Sequence, residues 1–336
     1  MSTSSSPEDG PTGGGVERTE RDPRPDDRDA DSLPGPAGPL PAGGAADVPD
    51  PASRGPSAPG AGDAEERPAR SLEERLAGRT PLSVPARHNP VLSDIVDAVN
   101  EDDEIYALWV AQNVNAVDRL GISDHGPVHV QIVANSALKI LRLLVDAGVR
   151  PSVVEDYGFS EDDAEVVVVL AALLHDVGIS IHRDGHEAYS LFVARPLLDR
   201  LLEPHYDAAR ATVLRSEVLH AVISHRAGGD PLTLEAGIMK VADALDMAEG
   251  RSRIPFEAGS MSIHSVSAAA IEEIRLEEGD ETPVRVRIDM TNSAGVFQVD
   301  ELLRNKLRGS GLEDYLQVEA HIERDTEKRL VERFRL

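Results

Sequence analysis

Apolar residues are sparse and without period over the first 87 positions; from Pro90 they return every three or four residues, the spacing of one helix face. VLSDIVDAVN and EDDEIYALWVAQNVNAVDRLG predict two helices, the second stopped at Gly121. A third begins at the Pro127 turn and sets His129, Ile132, Val133, Ala137, Ile140, Leu141 and Leu144 on a broad apolar face before Gly148. SEDDAEVVVVLAALLHDVG opens with Ser160 and Asp163 spaced as a capping box, and Gly178 ends it just past the pair His175-Asp176. Helices are also predicted in HEAYSLFVARPLLDRLL, ARATVLRSEVLHAVISHR and LTLEAGIMKVADALDMAEG. Beyond Ile254-Pro255 the period falls to two. AIEEIRLEE, PVRVRIDM, YLQVEAHIE and RLVERFRL alternate as strands do, AGVFQVDELLRNKLRGSG reads as an amphipathic helix among them, and a short helix is expected near Ser265. The pattern therefore predicts a mainly α protein: a tail over 1–87, a helical-bundle core over 88–258, and a small α+β appendage of β-β-α-β-β order over 259–336.

Composition sharpens the reading of the tail. Residues 1–87 contain no Phe, Tyr or Trp and are dense in Pro, Gly, Ala, Ser, Asp and Arg, too little apolar surface to offset the entropy of folding. Disorder is expected there, with at most a transient helix where Ser71 and Glu74 form a capping box, and removal of residues 1–85 is expected to leave stability unchanged. Arginines offset most of the tail's acidity, so the net charge of −26 belongs mainly to the rest of the chain. Such a charge argues against strong nucleic-acid binding, which needs a basic face. The longest uniformly apolar run, Val166 to Leu174, is far short of the roughly 20 residues of a membrane span, and the N-terminus lacks an apolar leader, so a cytoplasmic location is expected. Lysine is scarce beside arginine, as in a salt-adapted (halophile) cytoplasm or a chain from a GC-rich genome.

Chemistry concentrates around His175-Asp176, where an apolar helix ends in adjacent imidazole and carboxylate groups, with His129, His186, His225 and Asp243 as further candidates. With no cysteine in the chain, metal ligands must come from His, Asp, Glu or water. Imidazole and carboxylate together suit first-row divalent ions, and a carboxylate shared between two of them serves phosphoryl chemistry. His125 lies four residues before His129, on the same face if the helix starts early enough, and competes with it as ligand. His220 reads as structural, and His182, His205, His264 and His321 carry no supporting context.

Taken in order, His129, His175-Asp176 and Asp243 resemble the signature of the HD superfamily of metal-dependent phosphohydrolases. HVQIVA at 129 is similar to the family's first-helix pattern, HDVG at 175–178 to its HDIG variant, and KVADALDMAEGRSR to its closing helix, in which Asp243 rather than Asp246 matches the last ligand. His186 and His225 resemble the second-metal ligands of the HDIG subgroup, which includes ribonuclease Y and cyclic-dinucleotide phosphodiesterases; Asp176 would then bridge two ions. Two positions depart from that pattern: Ile179 stands where a Lys often follows, and Arg226 where a second His does. The segment from ADALDMAEGRSRIP into the appendage is similar to a group of predicted archaeal and bacterial HD hydrolases. The resemblance implies one or two divalent ions (Mn, Fe, Ni, Co or Mg) as cofactor and a small phosphorylated substrate such as a nucleotide. No membrane partner is expected, and a homo-oligomer is compatible with the sequence. Asp176 would orient the attacking water, His125 would serve as general acid or a substrate-side group, and Arg226, Arg251 and Arg253 would hold phosphate oxygens. The alternative from another class is a metal-bound or degenerate HD module that senses a nucleotide and signals through the appendage.

Overall fold

A computed structural model describes residues 71–226, 228–247, 267 and 269–322. Its organising element is helix α6 (Glu161–Leu174), in which every residue from Asp163 onward is buried. A helix apolar all round cannot lie on a surface. Around it stand α2 (Pro90–Glu101), α4 (Pro127–Asp146), α5 (Ser152–Tyr157), α7 (His186–Leu202), α8 (Ala208–Ser224) and α9 (Leu234–Ala244), while α3 (Asp103–Asn113) closes over the turn that follows α6. A one-turn helix, α1 (Leu72–Ala77), precedes them.

Local chemistry sets the ends of α6. Ser160 and Asp163 form the expected capping box, and Asp163 is also held by the Tyr206 hydroxyl at 2.8 Å. At the other end the Trp109 indole donates to the Leu173 carbonyl at 2.9 Å, and the Asn115 amide donates to the carbonyls of Ile179 and Ser180. These bonds satisfy groups that the helix terminus leaves without intrahelical partners. They let the chain turn sharply through His175 and Asp176 into a short 3-10 turn, Val177–Ser180.

Among the described residues three strands follow the helical core: β1 (Ile271–Glu278), β2 (Val284–Met290) and β3 (Leu316–Ile322), in the order β1-β2-β3. β1 and β2 pair antiparallel, with Ile274 opposite Ile288; β2 and β3 pair parallel, with Val286 opposite Val318. On β2 the buried Val284, Val286, Ile288 and Met290 alternate with Arg285, Arg287 and Asp289, so one face of the sheet meets the bundle through α4. The described residues form one compact unit, and Ile271, Val286, Leu303 and Leu312 share a continuous apolar core with the helices.

Several expectations change. The segment 71–87, read with the tail, packs on the bundle: Leu82 and Ala86 are buried, and the Leu82 amide is held by Asn100 at 2.7 Å. Removal of residues 1–85 would therefore uncover core, against the sequence expectation. Among the described residues one helix, α4, has the length and apolarity of a membrane span, 20 residues with mean hydropathy 1.4, where the sequence pattern predicts none. More than half of it is buried within the bundle, as for a core helix of a globular protein. The expected helix over 294–311 is a series of short turns, Ser293–Gly295, Val296–Gln298, Val299–Leu303 and Arg304–Leu307. The helix near Ser265, the strand RLVERFRL and residues 1–70 lie outside the described residues.

Candidate metal centre

Five helices deliver six side chains to one buried place. His129 comes from the first turn of α4, His175 and Asp176 from the end of α6, His186 from the start of α7, His225 from the end of α8 and Asp243 from the last turn of α9. Two local features bring α7 close to the His-Asp pair. Gly178 has no side chain where a Cβ would strike the backbone of His186 and Ser190, and the Ser190 hydroxyl donates to the His175 carbonyl at 2.6 Å while accepting from the Gly178 amide at 2.8 Å.

The six groups form two clusters joined by one carboxylate. Asp176 Oδ2 lies 3.3 Å from His129 Nε2 and 3.2 Å from His175 Nε2, and Asp243 Oδ1 stands 3.5 Å and 3.7 Å from the same nitrogens. Asp176 Oδ1 faces the other way, 3.0 Å from His186 Nε2 and 3.8 Å from His225 Nε2. Across the clusters the Nε2 atoms of His129 and His175 are 3.2 Å apart, and those of His186 and His225 are 3.3 Å apart.

The opposite ring nitrogens explain that orientation. His129 Nδ1 donates to Asp246 Oδ2 at 2.6 Å, His175 Nδ1 to the Ala172 carbonyl at 2.8 Å, and His225 Nδ1 to the Val222 carbonyl at 2.6 Å. His186 Nδ1 meets both the Arg183 carbonyl, at 2.9 Å, and the Arg183 guanidinium, at 2.7 Å. An imidazole that donates from Nδ1 presents a lone pair at Nε2, and such outer partners are what orient metal-ligating histidines. Lone pairs from facing rings repel unless a cation or proton lies between them. The donor set thus fits divalent metal: His129, His175 and Asp243 form one group of atoms mutually within 4.8 Å, as do His175, Asp176 and His225, and His186, Glu187 and His225.

Electrostatics agree. Burial would press His175 toward its neutral form, but Asp176 and Asp243 outweigh it and hold its pKa up at about 10. Burial opposes charge on Asp176 too, yet His175 and hydrogen bonds from His129, His175 and His186 keep its carboxyl well below the usual range. For Asp243, Lys306 and His175 likewise overcome burial. His225 is pushed down to about 3 by burial and by the charges on His175 and Lys306, which leaves it a neutral imidazole. With no ion bound, a proton on His175 balances the paired carboxylates; a divalent ion held by these residues would displace it and release protons.

His125 is buried beside this cluster, its ring centroid 5.3 Å from that of His129, with Nδ1 on the Ser123 carbonyl at 2.6 Å. Arg226 follows His225 directly and is exposed, while Arg251 and Arg253 lie outside the described residues. His220 is structural, accepting the Leu232 amide at 2.9 Å. Sequence reasoning did not single out Arg183, Glu187 or Lys306, whose ammonium is bonded to Asp243 Oδ2, and treated Asp246 only as a rival to Asp243. Asp246 instead orients the ligand that Asp243 faces. A further acidic group, His88, Asp162 and Glu165, is already balanced by the Arg142 guanidinium, 2.7 Å from Glu165.

Comparison with known proteins converges on the same helices. The HD domain family matches residues 132–248. A curated relative, the uncharacterized protein MJ1020 of Methanocaldococcus jannaschii, is 42% identical over 231 residues, which cover 69% of this chain and 89% of that protein.

Proposed function

The chain belongs to the HD-domain family, and from that membership and its buried His/Asp cluster we propose that it hydrolyses phosphoesters at a two-metal centre. The observation that carries the reading is Asp176, whose two oxygens face separate groups of imidazole nitrogens. In the proposed centre His129, His175, Asp176 and Asp243 hold one ion, and His186, His225 and Asp176 the other. Ions bound there would supply a low-pKa water and neutralise charge developing on phosphoryl oxygens.

The chain's own groups do the remaining work. Outer hydrogen bonds from Nδ1 fix the imidazoles, so the ligands need little reorganisation. Asp176, ionised throughout the neutral range, orients the attacking water, and His125, buried beside His129, is the group proposed to return a proton to the leaving oxygen. The proposed substrate class is a small phosphorylated molecule.

The test combines metal content with hydrolysis of a phosphomonoester and phosphodiester panel by the full chain purified without chelator. Wild-type protein is expected to carry about two ions and to lose activity to EDTA. Asp176→Ala should lose both ions and activity, whereas His186→Ala should retain about one. Chelator-resistant hydrolysis, or full metal retention in Asp176→Ala, would refute the reading. Bound metal and tight nucleotide binding without turnover would favour the sensing module instead.

A further inference from the structure

Asp243 is engaged on both sides. Its Oδ1 faces the Nε2 atoms of His129 and His175, while its Oδ2 accepts from Lys306, a residue of the Arg304–Leu307 turn between β2 and β3. The Lys306 ammonium therefore sits about one carboxylate width from the metal-ligating atoms, with its side chain only 15% exposed.

This placement is built in by contacts that tie the backbone around Lys306 to α9, the helix carrying Asp243. The fully buried Lys240 of α9 reaches out to donate to the carbonyls of Arg308 and Gly309, at 3.3 and 3.2 Å, and to that of Gly229 at 2.9 Å. One turn earlier on α9, Gly237 lets the Ser310 carbonyl approach closer than any side chain would permit. Lysine carries three N–H donors. One is used on Asp243, and no other acceptor for this ammonium is found among the described residues.

We propose that Lys306 is a substrate-contacting residue: through it the C-terminal appendage completes the active site by donating to a non-reacting phosphate oxygen. The proposal rests on the phosphohydrolase reading. A charged side chain retained at this depth, beside the ligands of a cation, adds positive potential where an anionic substrate must bind, while Asp243 keeps it aimed. Among the described residues, Arg183 and Arg226 are the other cations adjoining the ligands; Arg183 is engaged with His186 and Arg226 is exposed.

The test is binding of inorganic phosphate to the Mn-loaded full chain by calorimetry, with manganese content measured in parallel. Lys306→Met is expected to keep wild-type manganese stoichiometry while phosphate affinity falls about tenfold or more, and Lys306→Arg to stay within about threefold of wild type. Lys306→Gln, which keeps a polar tip for Asp243, gives the same reading if the methionine variant does not fold. Unchanged phosphate affinity in a manganese-loaded Met or Gln variant overturns the proposal, as does loss of manganese in both, which would make Lys306 a positioning residue for Asp243. Wild-type protein that loads manganese but neither binds phosphate nor cleaves any ester overturns the functional reading itself, and this proposal with it.

Discussion

His129 meets the cluster through one ring nitrogen and is held by the other, and the carboxylate that holds it, Asp246, is buried three residues after Asp243. Removing Asp246 frees the ring to rotate and to change tautomer, so Asp246→Ala should weaken manganese binding about 10- to 100-fold without altering the ligand set. Competition against a calibrated chelator measures this directly, and wild-type affinity in the variant would show that the Asp246 bond contributes nothing to the site. Both carboxylates of KVADALDM were visible in the sequence, but their division of labour was not. Helix period shows that two residues neighbour a face; which oxygen meets which ring nitrogen depends on how α9 is set against α4.

Between elements, the junction of α2, α4 and α6 is held by a single carboxylate. Glu165 of α6 accepts from Arg142 of α4 at 2.7 Å, pairs with His88 at 3.0 Å, and accepts from Asn89, the cap of α2, at 3.1 Å. Burial would raise its pKa, but Arg142, Asn89 and His88 outweigh it and hold the carboxyl below its ordinary 4.5. A depressed folded-state pKa means that the stabilisation is fully present above the unfolded value and disappears as pH falls through the lower, folded one. Glu165→Gln should therefore cost about 2 kcal/mol near pH 7. Its deficit relative to wild type should shrink as pH drops below about 4.5. Urea denaturation of both proteins across that range checks it, and a pH-independent difference would exclude ionisation of Glu165 as the cause. The same junction explains why residues 71–87 read as tail in the sequence yet pack on the bundle: Leu82 and Ala86 show no period, and Arg142 grips the Pro85 carbonyl only because α4 runs alongside.

At the scale of the molecule, the appendage and the bundle share one core and meet next to the site. Gly237 marks the closest approach, since a Cβ there would run into the Ser310 carbonyl and displace the loop that follows Lys306. Gly237→Ala should lower stability by about 1–3 kcal/mol through overpacking. Because α9 also carries Asp243, manganese occupancy should fall with it. Thermal unfolding and metal analysis of the variant test the coupling; an unchanged melting temperature with full occupancy would show that the two parts move apart freely.

The sequence by itself determined most helices of the bundle and the three described strands, because period and capping are local: the Ser160 box, the all-apolar run of α6 and the alternation of β2 require no knowledge of distant contacts. It also exposed the residues that meet at the site, through a resemblance carried by His129, His175, Asp176 and Asp243. Only the tertiary structure decided that Asp176 turns one oxygen to each cluster, that Asp246 and the carbonyls of Ala172 and Val222 aim the rings, and that Lys306, 63 residues after Asp243, closes on it. The physical reason is range. Helix and strand propensities act within a few residues, whereas orienting hydrogen bonds and ion pairs between helices depend on packing that no single segment encodes.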